Sequence, residues 1–166
     1  MASMPAPYLL VVEDSDEDFE ALRRVLNKHC EMEIPLQRCY DGDEAVDFLY
    51  RDDIDTVIFR LPGLILLDLN LPGSDGRDVL RQIKQDEKLK VIPVVIFTTS
   101  SNPKDIETCY RYGANSYLIK PMDVQQLKYS LCLLLNYWFN AIRLPAITLP
   151  AITLLDTTTL ASTTLL

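Results

Sequence analysis

Five short apolar runs constrain this chain more than any other feature. They are Leu9-Leu10-Val11-Val12, Ile34-Pro35-Leu36, Leu64-Ile65-Leu66-Leu67, Val91 to Phe97, and Tyr117-Leu118-Ile119. Their starts fall roughly 25–30 residues apart, about the length of one strand–helix repeat. Runs this continuous suit strands buried on both faces, as in a parallel sheet covered by helices. Helical patterns fill the gaps. Phe19, Leu22, Val25 and Leu26 follow the first run, with Ser15 placed to cap that helix and Asp18 three positions on, as in a capping box. Ala45, Val46, Phe48 and Leu49 follow the second run, and Val79, Leu80 and Ile83 the third. Ile106, Cys109 and Tyr110 follow the fourth, and Gly113 is placed as a C-terminal cap. Val124, Leu127, Leu131, Leu134 and Trp138 mark the last helix. The expected fold is α/β: (βα)5, a doubly wound five-stranded parallel sheet. Right-handed crossovers bring the strand-to-helix loops to the carboxyl edge, where such sheets bind ligands.

The 166 residues suffice for one domain with a sizeable core. Sixteen basic against 24 acidic residues leave a net charge of −8, which disfavours nucleic acid as a partner. Met1 to Tyr8 lacks the basic start and apolar region of a secretory signal, and the uncharged stretch from Leu144 to Leu155 is too short to span a membrane and carries Pro145 and Pro150. A cytoplasmic protein is therefore expected. Cys30, Cys39, Cys109 and Cys132 show no C-x-x-C, and with the single His29 they offer no zinc spacing, so reduced thiols are expected. After about Asn140 the chain repeats Leu-Pro-Ala-Ile-Thr and ends Thr-rich. The expected organisation is an N-terminal extension over 1–7, a domain over 8–139 and a low-complexity tail over 140–166.

The chemistry gathers in the loops. The first strand runs into Glu13-Asp14, the third into Asp68, the fourth into Thr98-Thr99-Ser100 and the fifth into Lys120-Pro121. Three carboxylates in one cluster repel unless a cation sits among them. Hard oxygen donors of this kind suit Mg²⁺, which takes one or two carboxylates with phosphate oxygens. Mg²⁺ and Lys120 supply the balancing charge, and the inventory fits a carboxylate that accepts a phosphoryl group. Thr98 adds a hydroxyl donor.

The set Glu13-Asp14, Asp68, Thr98, Tyr117 and Lys120-Pro121 resembles the response-regulator receiver domain, the CheY-like fold, from about Tyr8 to Phe139. The resemblance implies strand order 2-1-3-4-5, the order known for that fold. It implies that Asp68 is the phosphoacceptor and that Glu13, Asp14, Asp68 and the Asn70 carbonyl bind Mg²⁺. It implies Thr98 and Tyr117 as the switch pair, with Tyr117 turning inward on activation. Lys120 would pair with the phosphoryl group and precede a cis Pro121. Leu10 to Ser15, Leu64 to Pro72 and Pro93 to Ser100 look closest to the stand-alone receivers that partner cyanobacterial phytochrome histidine kinases. There are departures from the family pattern. Glu stands at 13 where Asp is commoner, and Gly63 stands where Asp often follows the proline, altering the strand entry. Thr99 replaces a frequent Ala and crowds the pocket mouth. Asn70 and Ser100 occupy positions that tune hydrolysis in such domains.

A single-domain phosphorylation switch follows, not an enzyme, with a sensor histidine kinase as donor. Only about 27 residues follow the last helix, so output by protein contact is expected. The alternative is a pseudo-receiver, an interaction module without phosphotransfer. An aspartyl phosphatase is disfavoured because Asn70, not an acid, stands two residues after Asp68. In the last helix Leu133, Leu135, Tyr137 and Phe139 extend beyond the stripe of Leu131, Leu134 and Trp138. A homodimer through the fourth-helix, fifth-strand and fifth-helix face is expected to cover them.

Overall fold

The computed structural model describes residues 7–30, 32–51 and 61–145. Strands and helices alternate: β1 (Leu9–Val12), α1 (Asp16–His29), β2 (Leu36–Cys39), α2 (Gly42–Tyr50), β3 (Leu64–Leu67), α3 (Gly76–Gln85), β4 (Val94–Thr98), α4 (Pro103–Arg111), β5 (Ser116–Ile119) and α5 (Val124–Asn136). The sheet is parallel in the order β2-β1-β3-β4-β5, as the resemblance implied. Every residue of β1, β3 and β4 is buried, which is why these strands read as unbroken apolar runs. The edge strands differ. β2 starts after Pro35, which has no N–H for the ladder but lends its carbonyl to Leu9 N–H at 2.9 Å. The strand thus covers Leu36–Cys39 and not the apolar run 34–36.

Helices cover both faces. Leu10, Val12, Ile65, Leu67, Val94 and Ile96 point to one side, against Ala45 and Leu49 of α2, Val79, Leu80 and Ile83 of α3, and Cys109 of α4. Leu9, Val11, Leu64, Leu66, Val95 and Phe97 point to the other, against Leu22, Val25 and Leu26 of α1 and Leu131 and Leu135 of α5. Each large apolar side chain buried this way contributes about 1.5–3 kcal/mol.

Side-chain caps start all five of the α-helices among the described residues. Ser15, Asp41, Asp75, Asn102 and Asp123 accept main-chain N–H groups in the first turns of α1 to α5. Only half of the expected capping box forms at α1. Ser15 accepts from Asp18 N at 3.2 Å, but the Ser15 N–H goes to Glu13 and the Asp18 carboxylate points elsewhere. Gly113 follows the α4 cap with φ +96°, as its place after the helix implied. Pro121 is not preceded by a cis bond: no cis peptide occurs among the described residues, and trans is the lower-energy isomer by about 0.5–1 kcal/mol.

The end of the last helix corrects the sequence picture. α5 passes into a π-helical turn over Tyr137–Ala141, whose wider winding changes the phase of the residues after Asn136. Leu135 joins Leu131 in the core, and Phe139 packs against the same core. Only Leu133 and Tyr137 of the four extra apolar residues stay exposed. The expected tail over 140–166 is described only as far as 145, and the expected extension over 1–7 only at Pro7. A Cβ at Gly63 would lie 2.8 Å from Pro7 Cβ and 2.9 Å from Leu144 Cδ1. Gly63 therefore does more than alter a strand entry: it leaves the space in which Leu144 returns to the domain. Cys30 and Cys132 are joined in a disulfide, contrary to the expectation of reduced thiols, because α1 and α5 pack side by side and bring them together.

Candidate functional site

The sheet ladder extends one residue beyond three strands and so sets the site. Glu13 N–H donates to Cys39 O at 3.0 Å, Asp68 N–H to Val12 O at 3.1 Å, and Lys120 N–H to Thr98 O at 2.7 Å. Glu13, Asp68 and Lys120 thereby stand together at the carboxyl edge. Asp68 is 5% and Glu13 3% exposed, Thr98 is fully buried, and Asp14 is open to solvent. Gly76 lets the chain after Asp68 fold back tightly. A Cβ there would strike the Asp68 carbonyl, and Gly76 N–H donates to Leu69 O at 3.1 Å.

Lys120 is the centre of charge. Its Nζ donates to Glu13 Oε2 at 2.6 Å, Asp18 Oδ2 at 2.7 Å and Asp68 Oδ2 at 2.7 Å. Those three bonds use every donor of the ammonium. Burial alone would lower the lysine's pKa, but the three carboxylates outweigh it and hold the value above the ordinary range. Burial raises the Glu13 carboxyl, and Lys120 opposes that shift without cancelling it. Sequence assigns Asp18 to the start of α1 and not to the site, since an acid in a first helical turn is what any helix start favours. Its charge adds to those of Glu13, Asp14 and Asp68, one more than the sequence arithmetic allowed.

One carboxylate oxygen from each of Glu13, Asp14 and Asp68 lies within 4.8 Å of the others. Hard oxygen donors, net negative charge and one solvent-facing side fit a divalent cation that keeps part of its water. Asp68 Oδ1 accepts Asn70 N–H at 3.1 Å. Asn70 Nδ2 reaches Thr98 Oγ1 at 3.4 Å and Thr99 Oγ1 at 3.5 Å, so Thr99 ties to Asn70 at the pocket mouth. Tyr117 already lies inward. Its ring packs against the core and its hydroxyl donates to Ser100 O at 3.0 Å. A second residue missed by sequence is Arg38 on β2, which binds the main-chain oxygens of Glu13 and Asp14.

A parallel sheet in this order with a buried Asp, two neighbouring acids and a lysine at its carboxyl edge defines a receiver domain. The chain belongs to the response regulator receiver domain family, whose model matches residues 9–131. Among its relatives is the response regulator Rcp1 of Synechocystis sp., 40% identical over 144 residues, which cover 87% of this chain and 97% of the relative. The solved structure of the Mn(2+)-bound form of Rcp1 superposes with a TM-score of 0.75 at 37% identity, covering 84% of this chain and 99% of that one. The structure of the phosphorylated cyanobacterial phytochrome response regulator RcpA gives a TM-score of 0.76 at 34% identity, covering 85% and 99%. Among the described residues no helix is long and apolar enough to cross a membrane.

Proposed function

We propose that the protein is a single-domain response regulator that accepts a phosphoryl group on Asp68 from a sensor histidine kinase of the phytochrome type. The observation that carries this reading is Asp68 itself: a carboxylate 5% exposed at the end of β3, 2.7 Å from Lys120 and grouped with Glu13 and Asp14, in a receiver-family chain. An Asp68 oxygen would bond to phosphorus as the bond from phosphorus to the donor's imidazole nitrogen breaks, and the imidazole leaves with its electron pair. Glu13, Asp14, Asp68 and the Asn70 carbonyl would hold Mg²⁺, which neutralises charge on the transferring oxygens. Lys120 would exchange one of its carboxylate partners for a phosphoryl oxygen. Thr98 would supply the hydroxyl that follows the phosphoryl group, and Tyr117, bonded to the loop after Thr98, would carry the change toward α4.

The likeness to Rcp1 and RcpA supports the phytochrome partnership. Tyr129 and Leu133, exposed along α5, and Tyr137, exposed at the start of the π-helical turn, support a homodimer through the α4–β5–α5 face. The reading takes the chain as a cytoplasmic phosphoacceptor, not an enzyme, with residues 8–139 as the receiver and 140–166 as a tail. The test is intact-protein mass after acetyl phosphate and Mg²⁺. One added phosphoryl group, absent without Mg²⁺ and absent in Asp68→Asn, is expected. No gain from either acetyl phosphate or a kinase would favour the interaction-module reading.

A further inference from the structure

Away from the acidic pocket, two cysteines tie one helix to another. Cys30 caps the C-terminus of α1, and Cys132 lies within α5, 102 residues further along the chain. Their Cα atoms are 5.2 Å apart, inside the ~4.4–6.8 Å that a disulfide spans. We propose that Cys30 and Cys132 form a reversible redox modification site, worked by thiol–disulfide exchange through the groove beside it, and that the bridge staples α5 to α1.

Access separates this pair from the other cysteines. Cys30 and Cys132 are half-buried and line an open groove with Lys128 and Tyr129. Cys39 and Cys109 are buried in the core, where burial pushes their thiols up to about 12 and about 11 and keeps them protonated. In the reducing compartment that the proposed function implies, and on which this inference rests, a disulfide is most often transient or redox-sensing.

The two sulfurs are also unequal. Lys128 stands one helical turn before Cys132 on the same face, and its ammonium favours a thiolate there. Cys30 sits at the negative end of the α1 dipole, which disfavours one. In the reduced protein the Cys132 thiolate therefore attacks a sulfur of a small or protein-borne disulfide. That disulfide breaks, one half joins Cys132 as a mixed disulfide, and the other leaves as a thiolate that takes up a proton. Cys30 then loses its proton to water and attacks the Cys132 sulfur, closing the bridge and expelling the second thiol. Two protein thiols are oxidised and one partner disulfide is reduced to two thiols; a dithiol reverses the sequence.

The consequence lies in the helical layer. α1 and α5 share one core through Leu22, Val25, Leu26, Leu131 and Leu135. The bridge encloses most of the domain in a single covalent loop, which restrains the unfolded chain strongly. It also anchors the helix that bears the exposed Tyr129 and Leu133.

The test equilibrates the full chain in glutathione and glutathione disulfide, quenches with acid, alkylates the free thiols and maps them by peptide mass. Cys30 and Cys132 should pass together from alkylated to bridged, with a midpoint that scales as a two-electron couple. The oxidised form should melt about 10 °C above the reduced form. Cys30→Ser should collect glutathione on Cys132 more readily than Cys132→Ser collects it on Cys30. A serine at a half-buried site can cost stability by itself, so the wild-type chain reduced with a dithiol provides the stability comparison without substitution. Three results would overturn the proposal: thiols alkylated at every ratio, a bridge that excess dithiol cannot open in the folded protein, or equal melting of the two forms.

Discussion

The Arg38 guanidinium donates from Nε to the main-chain oxygen of Glu13 at 2.9 Å, so a residue on an edge strand holds the backbone of the acidic loop. A second nitrogen reaches the Asp14 oxygen at 3.1 Å, and a third pairs with Asp16 at 2.7 Å. The group is held between the rings of Phe19 and Tyr40, 4.6 and 4.0 Å from their centroids. Hydrogen bonds that involve a charged group are worth about 1.5–3 kcal/mol each, less where they face water as the one to Asp14 does.

Arg38→Met should therefore weaken Mg²⁺ or Mn²⁺ binding by roughly tenfold, because the carboxylates of Glu13 and Asp14 lose their fixed backbone. Arg38→Lys should fall between, since an ammonium lacks the fork that spans two carbonyls. Calorimetric titration checks this. Equal affinity in all three proteins would mean that the loop holds itself.

The strands that sequence revealed best are those with no solvent face. β1, β3 and β4 are buried throughout, whereas β2 and β5 expose part of each side chain row and so show shorter or displaced runs. Asp68, Glu13, Asp14, Thr98 and Lys120 were legible because strand ends of a parallel sheet converge whatever lies between them. Arg38 was not, since its partners lie 24 and 25 residues upstream and a lone edge-strand arginine does not announce them. The Cys30–Cys132 bridge was hidden for the same reason: no local spacing encodes the packing of α1 on α5. Leu135 was placed on the wrong side because an ideal helical stripe ignores how broad a face the sheet covers.

Lys120→Met should destabilise the protein by about 3 kcal/mol at neutral pH, since it leaves Glu13 and Asp68 buried without their cation. The folded pKa of Lys120 is raised, so the contribution of its charge is complete below the unfolded value and is lost only in strong alkali. The variant's deficit should accordingly hold from pH 6 to pH 9 in chemical denaturation. Saturating Mg²⁺ should raise its melting temperature more than that of the wild type, because the metal supplies the missing positive charge. A Mg²⁺ response equal to that of the wild type would contradict the cation-balance argument.

Asp18 is the most exposed of the three Lys120 partners, at 42% of its side chain. Asp18→Asn should cost under ~1 kcal/mol of stability, as expected for an ion pair open to water. It also removes a competitor for the ammonium. The initial rate of labelling by acetyl phosphate should rise by ~2–5-fold, the factor that ~0.5–1 kcal/mol provides. A slower rate would show that Asp18 positions Lys120 instead of competing for it.

The loop after Thr98 is held by a chain of contacts that can be broken with acid. Arg77 of α3 pairs with Asp105 of α4 at 2.7 Å, Ser100 Oγ donates to the same carboxylate at 2.6 Å, and the Ser100 carbonyl accepts the Tyr117 hydroxyl at 3.0 Å. The Ser100 hydroxyl and the Arg77 guanidinium hold the Asp105 carboxyl below its ordinary range. A depressed folded value means stability that is present above the unfolded pKa, about 3.8, and lost as pH falls through the folded one. Asp105→Asn should thus lower the melting temperature at pH 7 by several degrees, and the difference should begin to shrink as pH falls below about 3.8 and disappear only below the folded value. Tyr117→Phe should keep the packing but lose the link to Ser100, and its deficit should not change with pH over that range. A deficit in Asp105→Asn that stays constant down to pH 3 would place the stabilisation in packing and not in the charge that joins α3, α4 and the loop after Thr98.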